Sequence, residues 1–410
     1  MSNYIDLPMS GLEGPLTEME QAVQDMCHRF AVEEIRPIAV KVDEMSAQEA
    51  VAADSPVWNM LKKSKELGLS ISAMMELEPN ERSRLMLIAC EELAWGDVGL
   101  AGMILVNQMP ALYSALAGRM DMVEYCDGKL GCWGITEPDH GSDMLDPVNA
   151  NVADNGKYGR ANCIARIEGD KVIINGQKSA WVSGSMTAEV CALYCHVEQN
   201  GEIKPGVTVI VPLNAQGVTR GKPLDKVGFR GLNQGELYFD NVELPIEHMI
   251  IGPEDYAHQV YETLAEANVH VGNMAVGIAR AAYEHALEYA HERIAGGQVI
   301  IKHQTVKYRL FHMFRKIECA RAMVRRAGEY NATAPSAALQ GSIAAKVTAT
   351  QTAFEVASDA LQIFGGNGVT KEYPMEKLLR DARASMIADG CNEFLALKGG
   401  SLLINPDLVN

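Results

Sequence analysis

Leu361-Gln-Ile-Phe-Gly-Gly-Asn-Gly-Val-Thr-Lys-Glu-Tyr-Pro-Met-Glu-Lys-Leu-Leu-Arg-Asp-Ala-Arg383 is the stretch on which the reading of this chain turns. A helical run ends at Phe364. Gly365 and Gly366 follow, with Gly368 after Asn367 and then Glu-Tyr-Pro. One glycine after a helix is an ordinary C-cap. A cluster of them lets backbone come close to a ligand. A second helical run starts at Glu376, and an acid, Asp389, stands a few residues past its arginines.

Working outward, the hydrophobic period divides the chain into three. From Leu16 to about Gly118 it is helical. Thr17-x-x-Glu20 reads as a capping box. Val23–Val40 has apolar residues at helical spacing, with Arg36-Pro37 kinking the helix or marking its end. Ser83–Trp95 and Leu100–Leu116 are further helices. From about Gly131 to Gly252 the period changes. Lys171-Val-Ile-Ile-Asn-Gly-Gln is a β-branched run ending in a turn signal. Val190–Val197, Gly206–Leu213 and Gly235–Leu244 are short runs between Gly, Asn, Asp and Pro clusters, which predicts a compact all-β domain. Asp154–Arg160 reads as a polar surface loop. From Tyr256 onward the long Ala-rich segments Thr263–Ile294, Val306–Tyr330, Pro335–Phe364 and Glu376–Ala388 predict an antiparallel four-helix bundle.

Composition narrows the function classes. A chain of 410 residues is too long for one small core, and two to three domains are expected. No uninterrupted apolar run is long enough to span a bilayer. Met-Ser-Asn-Tyr-Ile-Asp lacks the pattern of a signal or transit peptide, so a cytoplasmic protein without membrane insertion is expected. The nine cysteines include no Cys-x-x-Cys, which favours reduced, mostly buried thiols over disulfides or a metal site. A formal net charge of -17 opposes nucleic-acid binding. It does not oppose an anionic cofactor, because local amides and a few arginines hold phosphate.

Three more strings carry chemistry. Gly131-Cys-Trp-Gly-Ile-Thr-Glu-Pro-Asp-His-Gly-Ser-Asp143 puts a turn directly after a short strand, where Gly141 and Ser142 can present amides and a hydroxyl. Read alone, it is first of all an ordinary polar loop. Asn175-Gly-Gln-Lys-Ser-Ala-Trp-Val-Ser183 holds a tryptophan that core packing would also explain. Arg293-Ile-Ala-Gly-Gly precedes His303-Gln304; an arginine ending a helix is by default a solvated charge facing the helix dipole.

Taken with the opening stretch, these strings resemble the acyl-CoA dehydrogenase family of flavoproteins, from Thr17 to about Lys398. The resemblance implies an α+β fold: an N-terminal helical domain (1–130), a central β-barrel-like domain (131–252) and a C-terminal four-helix bundle (253–410). It implies FAD as cofactor and no metal. Trp133, Ile135, Thr136, Gly141 and Ser142 would line the flavin, with Ser142 also approaching substrate. Trp181 would lie against the flavin ring, although one extra residue precedes it here. Val182 and Ser183 would sit near the reactive nitrogen. Arg293, Gln304, Gln362, Gly365 and Gly366 would reach the pyrophosphate and adenosine of FAD in a neighbouring subunit, a role for which a guanidinium fork suits phosphate oxygens. Gly296 stands where the family has a phenylalanine. Cys391 and Glu393 complete the cofactor set.

The base is unusual. The family removes an acidic proton beside a thioester carbonyl with a carboxylate, most often a glutamate. The register from Arg380 places Asp389-Gly390-Cys391 there. Asp389 could otherwise merely cap a helix or meet a cation. Glu266 is the reserve base, next to Ala267, which matches an alternative base position. Asn268 matches an arginine that helps hold CoA, and Gly390 joins Ser142 and Asn268 as a substrate contact. The usual glycine-rich loop is replaced at Ser70–Arg84, where Met74 and Met75 are either core residues or chamber lining.

The expected activity is dehydrogenation of an acyl-CoA thioester, on a cyclic, branched or otherwise unusual acyl group given the shorter base. Electron-transfer flavoprotein would accept the electrons, and the assembly would be a homotetramer, a dimer of dimers. Alternatives on the same scaffold are a nitroalkane-oxidase-like flavin oxidase, which also uses aspartate, and CoA-thioester elimination or desulfination. A DNA-binding flavoprotein of the stress-response type would need a basic surface.

Overall fold

The computed structural model describes residues 15–152, 158–199, 201–405 and 408. The chain start and most of the loop predicted at Asp154–Arg160 lie outside the described residues.

The first segment is helical: α1 (Glu18–Phe30), α2 (Arg36–Glu44), α3 (Ala47–Val51), α4 (Pro56–Ser64), α5 (Ile71–Met74), α6 (Pro79–Gly96), α7 (Val98–Val106), α8 (Met109–Leu116) and α9 (Met120–Cys126). The capping box forms as predicted. Thr17 Oγ1 accepts from the Glu20 amide at 3.2 Å, and Glu20 Oε2 from the Thr17 amide at 2.8 Å. Arg36-Pro37 neither ends nor breaks the helical path. A π-helical turn, Ala31–Ile35, joins α1 to α2, and Pro37 falls in the first turn of α2. The Arg36 amide just before it reaches the Ala31 carbonyl five residues back, as a π turn requires. The single helix predicted at Leu100–Leu116 is two, bent by 50°, with Pro110 opening the second. Their apolar character belongs to the core: Leu100, Ala101 and Met103 are fully buried.

The second segment holds β1 (Gly131–Gly134), β2 (Cys163–Glu168), β3 (Lys171–Ser183), β4 (Val190–Gln199), β5 (Glu202–Pro212), β6 (Val218–Arg220), β7 (Gln234–Pro245) and β8 (Met249–Ile251). They pair in the order β6-β7-β3-β2-β4-β5-β8, with β1 beside β4. Successive residues of β4 point to opposite faces. Val190, Ala192 and Tyr194 pack toward the helices, and Cys191, Leu193 and Cys195 into the other sheet core. Burial on both faces explains why β4 reads as a continuous apolar run. Gly176 is obligatory: its φ is +116°, and a Cβ would sit 1.9 Å from the Asn162 carbonyl oxygen.

The third segment is α10 (Tyr256–Glu292), a hairpin of β9 (Ile294–Ala295) and β10 (Gln298–Val299), α11 (Gln304–Thr333), α12 (Leu339–Phe364), α13 (Met375–Ser385) and α14 (Asn392–Ile404). Four of these helices match the predicted bundle members. α14 is not among the helices predicted from the sequence. It packs against α12, with Gly399 facing Ile343.

Two sets of charges lock the segments together. Glu91 and Glu92 of α6 are buried between α10 and α11. Glu91 accepts from Arg321 at 2.9 Å and Arg325 at 2.8 Å, and Glu92 accepts from both terminal nitrogens of Arg280 at 2.7 and 2.8 Å. Burial would raise the Glu91 carboxyl, but Arg321, Arg325 and Arg280 outweigh it and hold it below its ordinary value. On α13, Arg380 grips Asp43 of α2 through two bonds of 3.1 and 2.7 Å. Asp381 accepts from the Phe229 amide at 2.7 Å. The Arg-Asp of the opening stretch therefore fastens the bundle to the other two segments.

Candidate active site

All three segments wall one cavity of about 1010 Å³. α5 and the turn after it bring Met74 and Met75, and α8 brings Tyr113. The β segment brings Trp133, Ile135, Thr136, Gly141, Ser142, Trp181 and Ser183. The bundle brings Glu266, Ala267, His270, Asp389 and Gly390.

The two β-segment motifs meet each other before they meet any ligand. Lys178 and Glu137 are fully buried and paired at 2.6 Å, and Lys178 also donates to the Ile135 carbonyl at 3.0 Å. This pair fixes the strand exit that carries Ile135 and Thr136. The turn beyond it is held by Asp143, which accepts from His140 Nδ1 and from the Gly141 amide, each at 2.7 Å. β3 is irregular just before Trp181, where one residue more stands than in the family motif. Lys178 is opposite Leu237 and Val182 opposite Gly235, so between these pairs β3 has three residues where β7 has one. This bulge leaves Trp181 57% exposed on the cavity wall. Gln234 steadies it by donating to Ser183 Oγ at 2.9 Å and to the Trp181 carbonyl at 3.3 Å.

Asp389 stands between α13 and α14 in the left-handed backbone region, at φ +49°. Aspartate tolerates that conformation better than most residues. Burial pushes its carboxyl up to about 6, with the Lys346 charge pulling the other way. Its loop is tied to the β segment, because the Cys391 amide donates to Ser142 Oγ at 3.1 Å. The loop that carries Asp389 and the Gly141-Ser142 turn thus share a direct bond.

Glu266 also lines the cavity, and it differs from Asp389 in its partner. His270 Nε2 lies 3.1 Å from its Oε1. Burial would lower His270, but bonding to Cys90 and Glu266 and the Glu266 charge raise it to about 10. Burial would in turn raise Glu266, but the His270 bond and charge keep it below its ordinary value. A carboxylate already held charged by a histidinium is the poorer proton acceptor. Asn268 does not reach the cavity wall. Its side chain is fully buried and donates back to the Leu264 carbonyl at 2.9 Å, because it faces into the helix packing, one residue off the Ala267 stripe. Val182 likewise turns its side chain into the sheet core, on the face opposite its neighbours Trp181 and Ser183.

The remaining predicted residues lie away from the cavity. Arg293, Gln304, Gln362, Gly365 and Gly366 are exposed at one end of the bundle, where α10 and α12 finish and α11 begins. Tyr289 and Phe364 stack there at 4.0 Å, holding the two helix ends together. Gly365 and Gly366 have open space where a side chain would stand. Cys391 contributes its backbone bond to Ser142, and Glu393 is exposed on the first turn of α14.

The donors on the cavity wall fit a flavin. Among the described residues the buried Trp133 indole N–H has no partner, Trp181 offers an open aromatic face, and Gly141 has clear surroundings. A planar conjugated ring with polar edges matches those features. Sequence reasoning missed Lys346, which holds the Asp389 loop, and Tyr113, whose phenol is raised by burial and by nearby Tyr194, Asp389 and Glu266. Periodicity carried a signal for Lys346: it falls on the buried stripe of α12 with Ser342, Ala349 and Ala353.

Fold and cavity together define a three-domain flavoenzyme with a carboxylate on the wall of its reaction chamber. The chain belongs to the acyl-CoA dehydrogenase family: it matches that family's N-terminal domain over residues 17–118, its middle domain over 132–242 and its C-terminal domain over 257–399. Among its relatives is the probable acyl-CoA dehydrogenase YngJ of Bacillus subtilis, 30% identical over 395 residues covering 93% of this chain and 97% of that one. Butyryl-CoA dehydrogenase from Megasphaera elsdenii superposes with a TM-score of 0.81 at 25% identity, covering 95% of this chain and 99% of that one. A glutaryl-CoA dehydrogenase from Mycobacterium smegmatis, solved in complex with FADH2, shares the fold at 20% identity and a TM-score of 0.78, over 97% of each chain. This is an FAD-dependent enzyme of that family.

Proposed function

We propose that the enzyme dehydrogenates an acyl-CoA thioester with Asp389 as its base, and that the acyl group is cyclic, branched or otherwise not a simple straight chain. The observation that carries this reading is Asp389 itself: a half-buried carboxyl on the cavity wall, raised to about 6 by desolvation, in a loop bonded to Ser142. Asp389 accepts the proton from the carbon beside the thioester carbonyl. When bound, FAD supplies the acceptor for the hydride that leaves the neighbouring carbon. Ser142 and Gly390 border the substrate, and Trp133, Ile135, Thr136, Trp181 and Ser183 border the flavin ring. Aspartate is one methylene shorter than glutamate, so the acidic carbon must come closer. A displacement of that order otherwise costs about a hundredfold in rate.

Aspartate in this position also suits a flavin oxidase acting on nitroalkanes. Anaerobic mixing with a panel of acyl-CoA thioesters separates the two readings. Bleaching of the flavin by a thioester, with slow reoxidation by oxygen, supports the dehydrogenase. Rapid peroxide formation from a nitroalkane without thioester bleaching overturns it. Electron-transfer flavoprotein is the proposed acceptor of the electrons.

The pH dependence follows from the raised carboxyl. Below about 6 Asp389 is protonated and cannot take the substrate proton. The rate of flavin bleaching should therefore fall roughly tenfold per pH unit on the acid side. A rate that stays level from pH 7 to pH 5 would remove Asp389 from the step.

FAD retention should depend on a second subunit, in a homotetramer built as a dimer of dimers. The support is the grouping of Arg293, Gln304 and Gln362, exposed at one bundle end and away from the chamber of their own chain. Arg293→Ala should weaken FAD retention about tenfold, the loss of one charge-assisted phosphate contact. The check is flavin release during gel filtration. A monomer that keeps FAD stoichiometrically contradicts the shared site.

A further inference from the structure

We infer that Lys346 is a positioning residue, an ammonium buried in α12 that holds the Met386–Asn392 loop so that Asp389 faces the chamber; this rests on Asp389 being the base. Lys346 is fully buried. Its Nζ donates to the Gly390 carbonyl and to Asn392 Oδ1, each at 2.8 Å, and to the Met386 carbonyl at 3.4 Å. The three acceptors flank Asp389 on both sides in sequence, and none is the carboxylate itself.

An ammonium has three donors and no lone pair, so three converging oxygens match its charged form. Deprotonation would leave one oxygen facing a lone pair. Burial lowers the lysine to about 8, with Asp389, Cys391 and Glu393 pulling it back up. It therefore keeps its proton at neutral pH. Its side partner Asn392 is fixed in turn, since Asn392 Nδ2 donates to Thr350 Oγ1 at 3.0 Å, one helical turn along α12.

The arrangement addresses a conflict in the loop. Asp389 and Gly390 both have positive φ, +49° and +96°. A left-handed aspartate costs conformational energy and persists only where its surroundings determine it. Carbonyl bonds to one buried cation supply that determination from the rigid side of α12. Binding backbone oxygens rather than the carboxylate leaves the Asp389 oxygens free to take a proton. A direct salt bridge would instead stabilise the charged form and weaken the base. The titratable groups near the carboxylate and the lysine are Tyr113 from α8, Lys346 from α12, and Cys391 and Glu393 from the loop and α14. Lys346 is the cation among the groups that act on Asp389, and it acts at a distance.

The test is stopped-flow flavin bleaching by the active acyl-CoA, across pH, on FAD-replete Lys346→Gln, Lys346→Arg and Asp389→Asn. Gln removes the charge and keeps two donors. It should lower the plateau rate about 10- to 100-fold and move the acid limb upward by roughly one pH unit, since the cation no longer favours the carboxylate. Arg keeps the charge but not the geometry. It should leave the acid limb in place while lowering the plateau rate, and it carries the test if Gln does not fold. A purely structural lysine would lower FAD retention or thermal stability without moving the limb. A Gln variant with the wild-type limb and rate, or an Arg variant with the wild-type rate, overturns the inference while Asp389→Asn remains inactive. If Asp389→Asn bleaches at the wild-type rate, the base assignment itself fails, and Lys346 with it.

Discussion

Asp389→Asn should abolish flavin reduction by the acyl-CoA substrate and leave FAD bound. The amide has the size of the carboxylate and much of its hydrogen bonding, but it cannot act as an effective base. Loss of a general base costs about 10²- to 10⁴-fold. The loop should survive the change, because its anchors are the backbone bonds from Lys346 and to Ser142, neither of which uses the Asp389 side chain. Flavin absorbance of the purified variant would report the cofactor, and single-turnover bleaching the chemistry. Unchanged bleaching would hand the role to Glu266. That residue is less suited, since His270 holds it charged.

Glu91→Ala should be the most damaging change to stability. Glu91 is buried on α6 and accepts from Arg321 and Arg325 on α11, and Arg280 on α10 lies 3.4 Å away. Removing it leaves guanidinium charge in a dry interior with part of its compensation gone. Breaking a buried pair from one side costs about 3–5 kcal/mol. The loss should be spread over the interface between the first helical segment and the bundle, the same interface that frames the cavity. Urea unfolding of the FAD-loaded protein, compared with wild type, reads the effect as a shifted midpoint. A loss below about 1 kcal/mol would place the pair among ordinary surface bridges.

The three-segment plan was legible because each segment buries one kind of periodic face. The helix-to-strand change near Gly131 and the return near Tyr256 both coincide with the elements observed. What stayed hidden depends on tertiary packing. Pro110 could not be read as the start of α8 until the bend with α7 placed it in a first turn. Within the site, the strings that drew attention did reach one cavity: Trp133, Ser142, Trp181, Ser183 and Asp389 all line it. Not every motif residue serves a ligand, however. Glu137 and Lys178 neutralise each other in the sheet, and Arg380 and Asp381 bind neighbouring segments. Asn268 follows from the family resemblance alone, and its side chain serves the helix. Lys346 has no local signature except being a charge on an apolar stripe, so its role required the loop it holds.

Anaerobic stopped-flow bleaching with a panel of straight-chain, branched and cyclic acyl-CoA thioesters, run on the wild type and on Asp389→Asn, tests the central claim most directly. The account predicts that at least one branched or cyclic thioester bleaches the wild-type flavin faster than the straight-chain ones, with an acid limb near pH 6, and that Asp389→Asn retains FAD but does not bleach. Wild-type bleaching rates in Asp389→Asn, or no bleaching by any thioester alongside rapid peroxide production from a nitroalkane, would contradict it.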